Sequence, residues 1–179
     1  MPTKTLAENN YILSKRNIFI DTRERINSKQ NGCTVVIPHV CNNIGVFNGG
    51  FAAAVAKEYP VVQQNYSLLG SKMKLGHTQF VSVAKNNDYG YEIIFANMIA
   101  QNKIRTSKNT RPLNYAALAY CMSTVKIFAK EYRKNHENIN VEIHCPKFGS
   151  GLAGGNWRFI SELIKDAWVD IRNICVYTL

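Results

Sequence analysis

The 179-residue chain contains no run of about 18 apolar residues, so no membrane-spanning helix is expected. Its start, MPTKTLAENN, lacks the apolar h-region of a secretory leader. Both absences point to a cytoplasmic protein with no membrane partner. Cysteine is sparse: Cys33, Cys41, Cys121, Cys145 and Cys175 are odd in number, scattered and without a C-x-x-C pair. That excludes a disulfide framework and a zinc site, and leaves reduced, mostly buried thiols. Acidic residues are also few, 12 against 22 Lys and Arg, giving a net charge of +10. Such a balance suits a polyanionic ligand or a nucleic-acid surface and does not choose between them. There is no internal repeat, low-complexity tract or long linker, so residues 1–179 read as a single domain. The phosphate motif G-x-x-x-x-G-K-[ST] and the G-x-S-x-G elbow are both missing.

What is present is enough apolar surface to fold. The chain is 46% hydrophobic, with 8 Phe, 9 Tyr and 2 Trp, which excludes a disordered chain. Three β-branched or aromatic stretches read as strands: Thr34–Val40, His77–Ala84 and Tyr91–Met98. Val141–Cys145 and Ile174–Tyr177 add two more, and Tyr11–Leu13 and Ile18–Ile20 are weaker candidates. Pro38 within the first run predicts a bulge or an edge position. Helical spacing is clearest for Trp157, Ile160, Ile164, Ala167, Trp168 and Ile171 after Asn156, an N-cap residue. Leu118, Cys121, Val125, Phe128 and Tyr132 repeat the pattern after Pro112, and GGFAAAVAKEYP reads as a short helix stopped by Pro60. Strands alternating with helices give a layered α/β domain with a mostly parallel or mixed sheet, whose ligands bind at the carboxyl ends of the strands.

Two glycine-bearing loops sit at such strand ends. In HCPKFGSGLAGGNW, Gly149, Gly151, Gly154 and Gly155 separate a strand from the Asn156-capped helix. Bare backbone there lets several N–H groups point into one concavity, and an anion such as a diphosphate is the expected guest. Gly149, Gly151 and Gly154 also satisfy G-x-G-x-x-G. The dinucleotide fingerprint fits poorly, because only one strand follows and it begins near Asn173, not an acid. The second loop, in IPHVCNNIGVFNGGFAAAVA, carries Asn42, Asn43, Gly45, Asn48, Gly49 and Gly50 before a helix from Phe51. Together the loops can hold both ends of an extended ligand, with asparagine amides offered to sugar hydroxyls.

On the order and spacing of SKRNIF, IPHVCNNIGVFNGGFAAAVAKEYP, ANMIAQ, RPLNYAALAYCM, HCPKFGSGLAGGNW and CVYTL, the chain resembles the macrodomains, which bind ADP-ribose. The resemblance runs from about Tyr11 onward and is strongest to the ADP-ribose-1''-phosphate phosphatase group, whose His-x-x-Asn appears as His39 and Asn42. It implies a three-layer α/β/α fold with a central mixed, mostly parallel sheet. It implies an adenine contact at Asn17 and Ile18, in Lys15-Arg16-Asn17-Ile18, where Arg16 replaces the family's glycine and Asn17 accepts from the adenine amino group. It implies that Gly45, Phe47, Asn48, Gly49, Gly50 and Phe51 surround the distal ribose and phosphate. Phe148, Gly149, Ser150, Gly151, Leu152, Ala153 and Gly154 then take the diphosphate. Phe47 stands where the phosphatase group has Trp, Asn48 where it has Gly. The deacylating members use a lysine from the strand matching Phe95–Ile99 and an aspartate after the loop leucine; this chain has no lysine there and Ala153 at the second position, so that route is not expected.

For chemistry, His39 is the candidate general acid/base or nucleophile, because imidazole titrates near neutral pH. Asn42 would position substrate or water. His144, earlier in its strand, reads as packing. The segment 102–111 carries Lys103, Arg105, Lys108 and Arg111 and reads as a basic lid able to meet a terminal phosphate. Three functions remain open: removal of phosphate from ADP-ribose-1''-phosphate without metal or other cofactor, non-catalytic capture of ADP-ribose or a related nucleotide, and recognition of ADP-ribosylated nucleic acid.

Overall fold

The computed structural model describes residues 10–137 and 139–178, so the N-terminal stretch read for a leader lies outside the described residues. Its strands are β1 (Asn10–Ser14), β2 (Thr34–Asn42), β3 (Thr78–Lys85), β4 (Glu92–Gln101), β5 (Val141–Pro146) and β6 (Asn173–Tyr177). Its helices are α1 (Ile18–Asn27), α2 (Gly50–Glu58), α3 (Pro60–Ser67), α4 (Tyr115–Asn135) and α5 (Trp157–Ala167). The strands form one sheet in the order β1-β6-β5-β2-β4-β3. Every neighbouring pair is parallel except β3 with β4.

Alternation along the strands divides the core in two, because successive side chains point to opposite faces. On one face Val35, Ile37, Ile93, Phe95 and Ile99 pack with Ile18 and Ile26 of α1, Val55 of α2, and Val62 and Tyr66 of α3. On the other, Val36, Ile94, Met98 and Ile143 pack with Leu118, Met122 and Val125 of α4 and with Ile160 and Ile164 of α5. The result is the expected three-layer α/β/α arrangement around a mixed, mostly parallel sheet. Among the described residues no helix is long and apolar enough to cross a membrane.

Three local expectations are corrected. Ile18–Ile20 is not a strand but the first turn of α1, since Asn17 caps it by accepting from the Phe19 and Ile20 amides. Pro60 stops α2 but also starts α3, occupying the first-turn position where its missing N–H costs nothing. Pro38 marks neither an edge nor a bulge: β2 is central, and its register shift falls between Cys41 and Asn42. The physical reason lies in the ladder. The Thr34 N–H donates toward β5, to Asn140 O, and alternate residues share that direction. Pro38 therefore lacks its donor on the β5 side, beyond the last pair on that side, Val36 with Ile143.

Candidate functional site

The loops following β2, β4 and β5 converge at the carboxyl edge of the sheet around a cavity of about 350 Å³. His39, Asn42, Phe47, Asn48, Gly49, Gly50, Phe51, Phe148, Gly149, Gly151, Leu152 and Ala153 line it, so the two glycine loops do share one cleft. They also touch: a Cβ on Gly49 would meet Leu152 Cδ1 at 2.9 Å. Arg105, Ile104, Gln101 and Lys147 also line it, and among the described residues no carboxylate does.

The cavity is built to present backbone amides. Helix α2 begins at Gly50 with no side-chain cap on its N-terminus. Its first amides, at Gly50, Phe51 and Ala52, have no intrahelical acceptor, and these residues line the cavity. The loop after β5 closes on itself, Gly154 N–H to Gly151 O at 3.0 Å and Gly155 N–H to Gly149 O at 2.7 Å. The amides of Ser150, Gly151, Leu152 and Ala153 meet no acceptor among the described residues. Glycine is required at 154 by its φ of +71° and by a Cβ that would lie 2.6 Å from Thr110 O. The positive helix end at the cavity is thus that of α2, whereas Asn156 already caps α5 through the Phe159 amide.

Other expected residues act on the frame. Asn42 is locked: its Oδ1 accepts from the Ile44 and Val46 amides, both at 3.1 Å, and its Nδ2 donates to Val46 O at 2.6 Å. It shapes the loop around Gly45, whose φ is +79°. Asn43 stitches this loop to segment 102–111, its Oδ1 accepting from the Lys103 amide at 2.7 Å and its Nδ2 donating to Asn102 Oδ1. Asn109 ties the same segment to the Asn102 and Ile104 carbonyls. The segment is therefore braced, and of its four cations Arg105 reaches the wall while Arg111 lies over the Tyr115 ring.

Asn17, Ile18, Asn43, Gly45, Ser150 and Gly154 stand outside the cavity wall. Asn17, expected to accept from the adenine amino group, uses its Oδ1 here to accept from the Phe19 and Ile20 amides at 2.9 and 3.2 Å. Ile18 is wholly buried. Arg16 turns away to Asp21 and Glu24.

His39 sits at the cavity wall with 1% of its surface exposed. Phe47, Phe51 and Phe95 meet its ring edge-on at centroid separations of 5.7, 5.6 and 6.0 Å. Burial lowers its pKa to about 4, against a hydrogen bond to Asn97 that raises it, so the imidazole is neutral at physiological pH. Nε2 lies 2.6 Å from Asn97 Oδ1. Asn97 in turn donates to Gln79 Oε1 at 2.9 Å; both lie within apolar strands and carry no local motif that links them to His39. Among the described residues no group of three or more His, Cys, Asp or Glu is placed to hold a metal ion.

Comparison with known proteins agrees with this geometry. No family model matches the chain. The ADP-ribose 1''-phosphate phosphatase of Lodderomyces elongisporus is 25% identical over 163 residues, which span 85% of this chain and 91% of that protein. Among solved structures, a protein of unknown function from Bacteroides thetaiotaomicron is similar with a TM-score of 0.76 and 27% identity, over 96% of this chain and 99% of its own. A macrodomain protein from Streptomyces coelicolor is similar with a TM-score of 0.65 and 26% identity, over the same shares.

Proposed function

We propose, from the premise that this chain has the macrodomain fold, that its cavity binds ADP-ribose-1''-phosphate and releases the terminal phosphate, giving ADP-ribose. The observation that carries this is the cavity wall itself: amides from two glycine loops and the uncapped α2 terminus, the cations Arg105 and Lys147, and, among the described residues, no carboxylate. Such a wall favours a diphosphate and a further phosphate over any cationic or neutral ligand. The curated relative's name supports the same substrate.

In this reading a water oxygen bonds to the terminal phosphorus and gives its proton to His39. The phosphorus–oxygen bond to the distal ribose C1'' oxygen breaks, and that oxygen leaves with the proton returned from the imidazole. A neutral histidine is suited to the first role. Asn42 holds the loop in shape, and the free amides and Arg105 take the charge on the equatorial oxygens. The test is phosphate release from ADP-ribose-1''-phosphate by the purified protein: turnover that His39→Ala abolishes is expected, and no release by the wild type would refute hydrolysis.

A second reading, capture of ADP-ribose without catalysis, is favoured by the near-complete burial of His39 and the commitment of the Asn42 amide. Calorimetric binding of ADP-ribose by a protein that turns nothing over would select it.

A further inference from the structure

We propose that Gln79 and Asn97 are positioning residues that fix the tautomer of His39, so that Nδ1 is its acceptor; the catalytic use of that acceptor rests on the hydrolytic reading above. The argument runs inward from a group whose role is not adjustable. The Asn65 carbonyl can only accept, and the group 2.9 Å from it is Gln79 Nε2, which donates. Gln79 Oε1 is thereby turned inward and accepts from Asn97 Nδ2 at 2.9 Å. Asn97 is left with Oδ1 facing His39 Nε2 at 2.6 Å, so Nε2 carries the proton. A neutral imidazole has one N–H, and its other nitrogen is a lone pair.

Nothing nearby reverses this order. Asn97 is completely buried, so solvent does not compete for its amide. Cys41 Sγ lies 3.8 Å from Nδ1 and 3.9 Å from Nε2. A sulfur nearly equidistant from both nitrogens within the ring plane would collide with the Cε1–H between them. It therefore lies over the ring face, not along the Nδ1 lone pair. The aromatic rings packed on His39, those of Phe47, Phe51 and Phe95, have no N–H or O–H to donate. Gln79, at a half-buried position on the edge strand β3, is the accessible end of the relay.

Two substitutions at that end separate a relay from ordinary packing. In Gln79→Glu the carboxylate gives up the bond to the Asn65 carbonyl but still accepts from Asn97 Nδ2, so the relay keeps its direction. In Gln79→Lys the ammonium can only donate, so Asn97 turns its oxygen outward, presents Nδ2 to His39, and forces the proton onto Nδ1. Histidine nitrogen NMR is expected to show Nε2 protonated in the wild type and Gln79→Glu, and Nδ1 protonated in Gln79→Lys. Phosphate release should fall about tenfold or more in kcat for Gln79→Lys with KM within about threefold, and Gln79→Glu should restore it. Calorimetric ADP-ribose binding by each variant confirms a folded site. An Nδ1-protonated wild type, or one tautomer in all three proteins, would overturn the relay. A wild type that binds ADP-ribose but releases no phosphate would overturn hydrolysis alone, since the nitrogen spectra still decide the tautomer.

Discussion

His39 and His144 are both buried, both on central parallel strands, and both a few residues ahead of a glycine-bearing loop, yet their surroundings are opposite. His39 is packed among three phenyl rings and the Cys41 sulfur, with the Asn97 amide as its hydrogen-bond partner. His144 lies in a polar knot: Nε2 is 2.9 Å from Glu142 Oε2 and Nδ1 is 2.7 Å from the Tyr177 hydroxyl, which donates to Asp21. Arg25 grips the same Glu142 through two nitrogens, at 3.1 and 2.7 Å, and Asn173 adds a fourth contact. Burial pushes the Glu142 carboxyl up, but the bonds from His144, Arg25 and Asn173 outweigh it and hold the group well below the usual carboxylate range. Asp21 and Arg25 stand one helical turn apart on α1, so the knot pins that helix to β5 and β6. Of two histidines alike in spacing, one lines the cavity as a neutral imidazole and the other fastens a layer of the fold.

The sharpest way to break this contrast is to remove each ring. His39→Ala is expected to lower phosphate release by about 10²- to 10⁴-fold, the usual worth of a positioned acid/base group, while His144→Ala in its folded fraction stays within about threefold of the wild type. Next in size, Glu142→Ala leaves Arg25 and His144 without their shared carboxylate and should cost about 3 kcal/mol in urea unfolding, with ADP-ribose affinity unchanged. Equal losses of turnover from His39→Ala and His144→Ala would end the division of roles.

Acid separates the two sites by window. His39 has its pKa lowered from 6.5 to about 4, so between those values the unfolded chain binds more protons and stability falls as pH falls. The loss between pH 7 and pH 5 should be about 2 kcal/mol, and His39→Gln should flatten that slope in denaturant midpoints measured across the range. Glu142, lowered from 4.5, contributes stability that is present above about pH 4.5 and lost below it, so Glu142→Gln should alter only the more acidic limb. The smallest effect belongs to Arg16, whose side chain is 61% exposed beside Asp21 and Glu24. Arg16→Ala should leave stability essentially unchanged, read as a thermal midpoint that barely moves.

The same contrast shows what was legible in the sequence. Strand-like runs and the Asn156 cap are local properties, and they predicted β2, β5 and α5 closely. Gly49, Gly50, Gly149 and Gly151 announced the cavity because bare backbone at a strand end has few other uses. Ile18, Phe19 and Ile20 misled because three consecutive apolar residues imitate a strand, although Asn17 before them caps a helix. Only the positions of Thr22 and Ile26 on the buried face of α1 settle the matter. The Gln79–Asn97–His39 relay was not legible, since it joins three strands across up to 58 residues of separation. Likewise, the depressed titration of His39 comes from its burial, beside Phe47, Phe51 and Phe95, which no spacing rule links to it.

The most direct test of the cavity's role is an amide NMR titration of the full chain with ADP-ribose. If the two loops jointly grip the diphosphate, the amide signals of Gly50, Phe51 and Ala52 and those of Gly151, Leu152 and Ala153 move together along one saturating curve. Saturable binding that leaves both groups of signals in place, or that moves only residues around Glu142 and His144, would contradict the account.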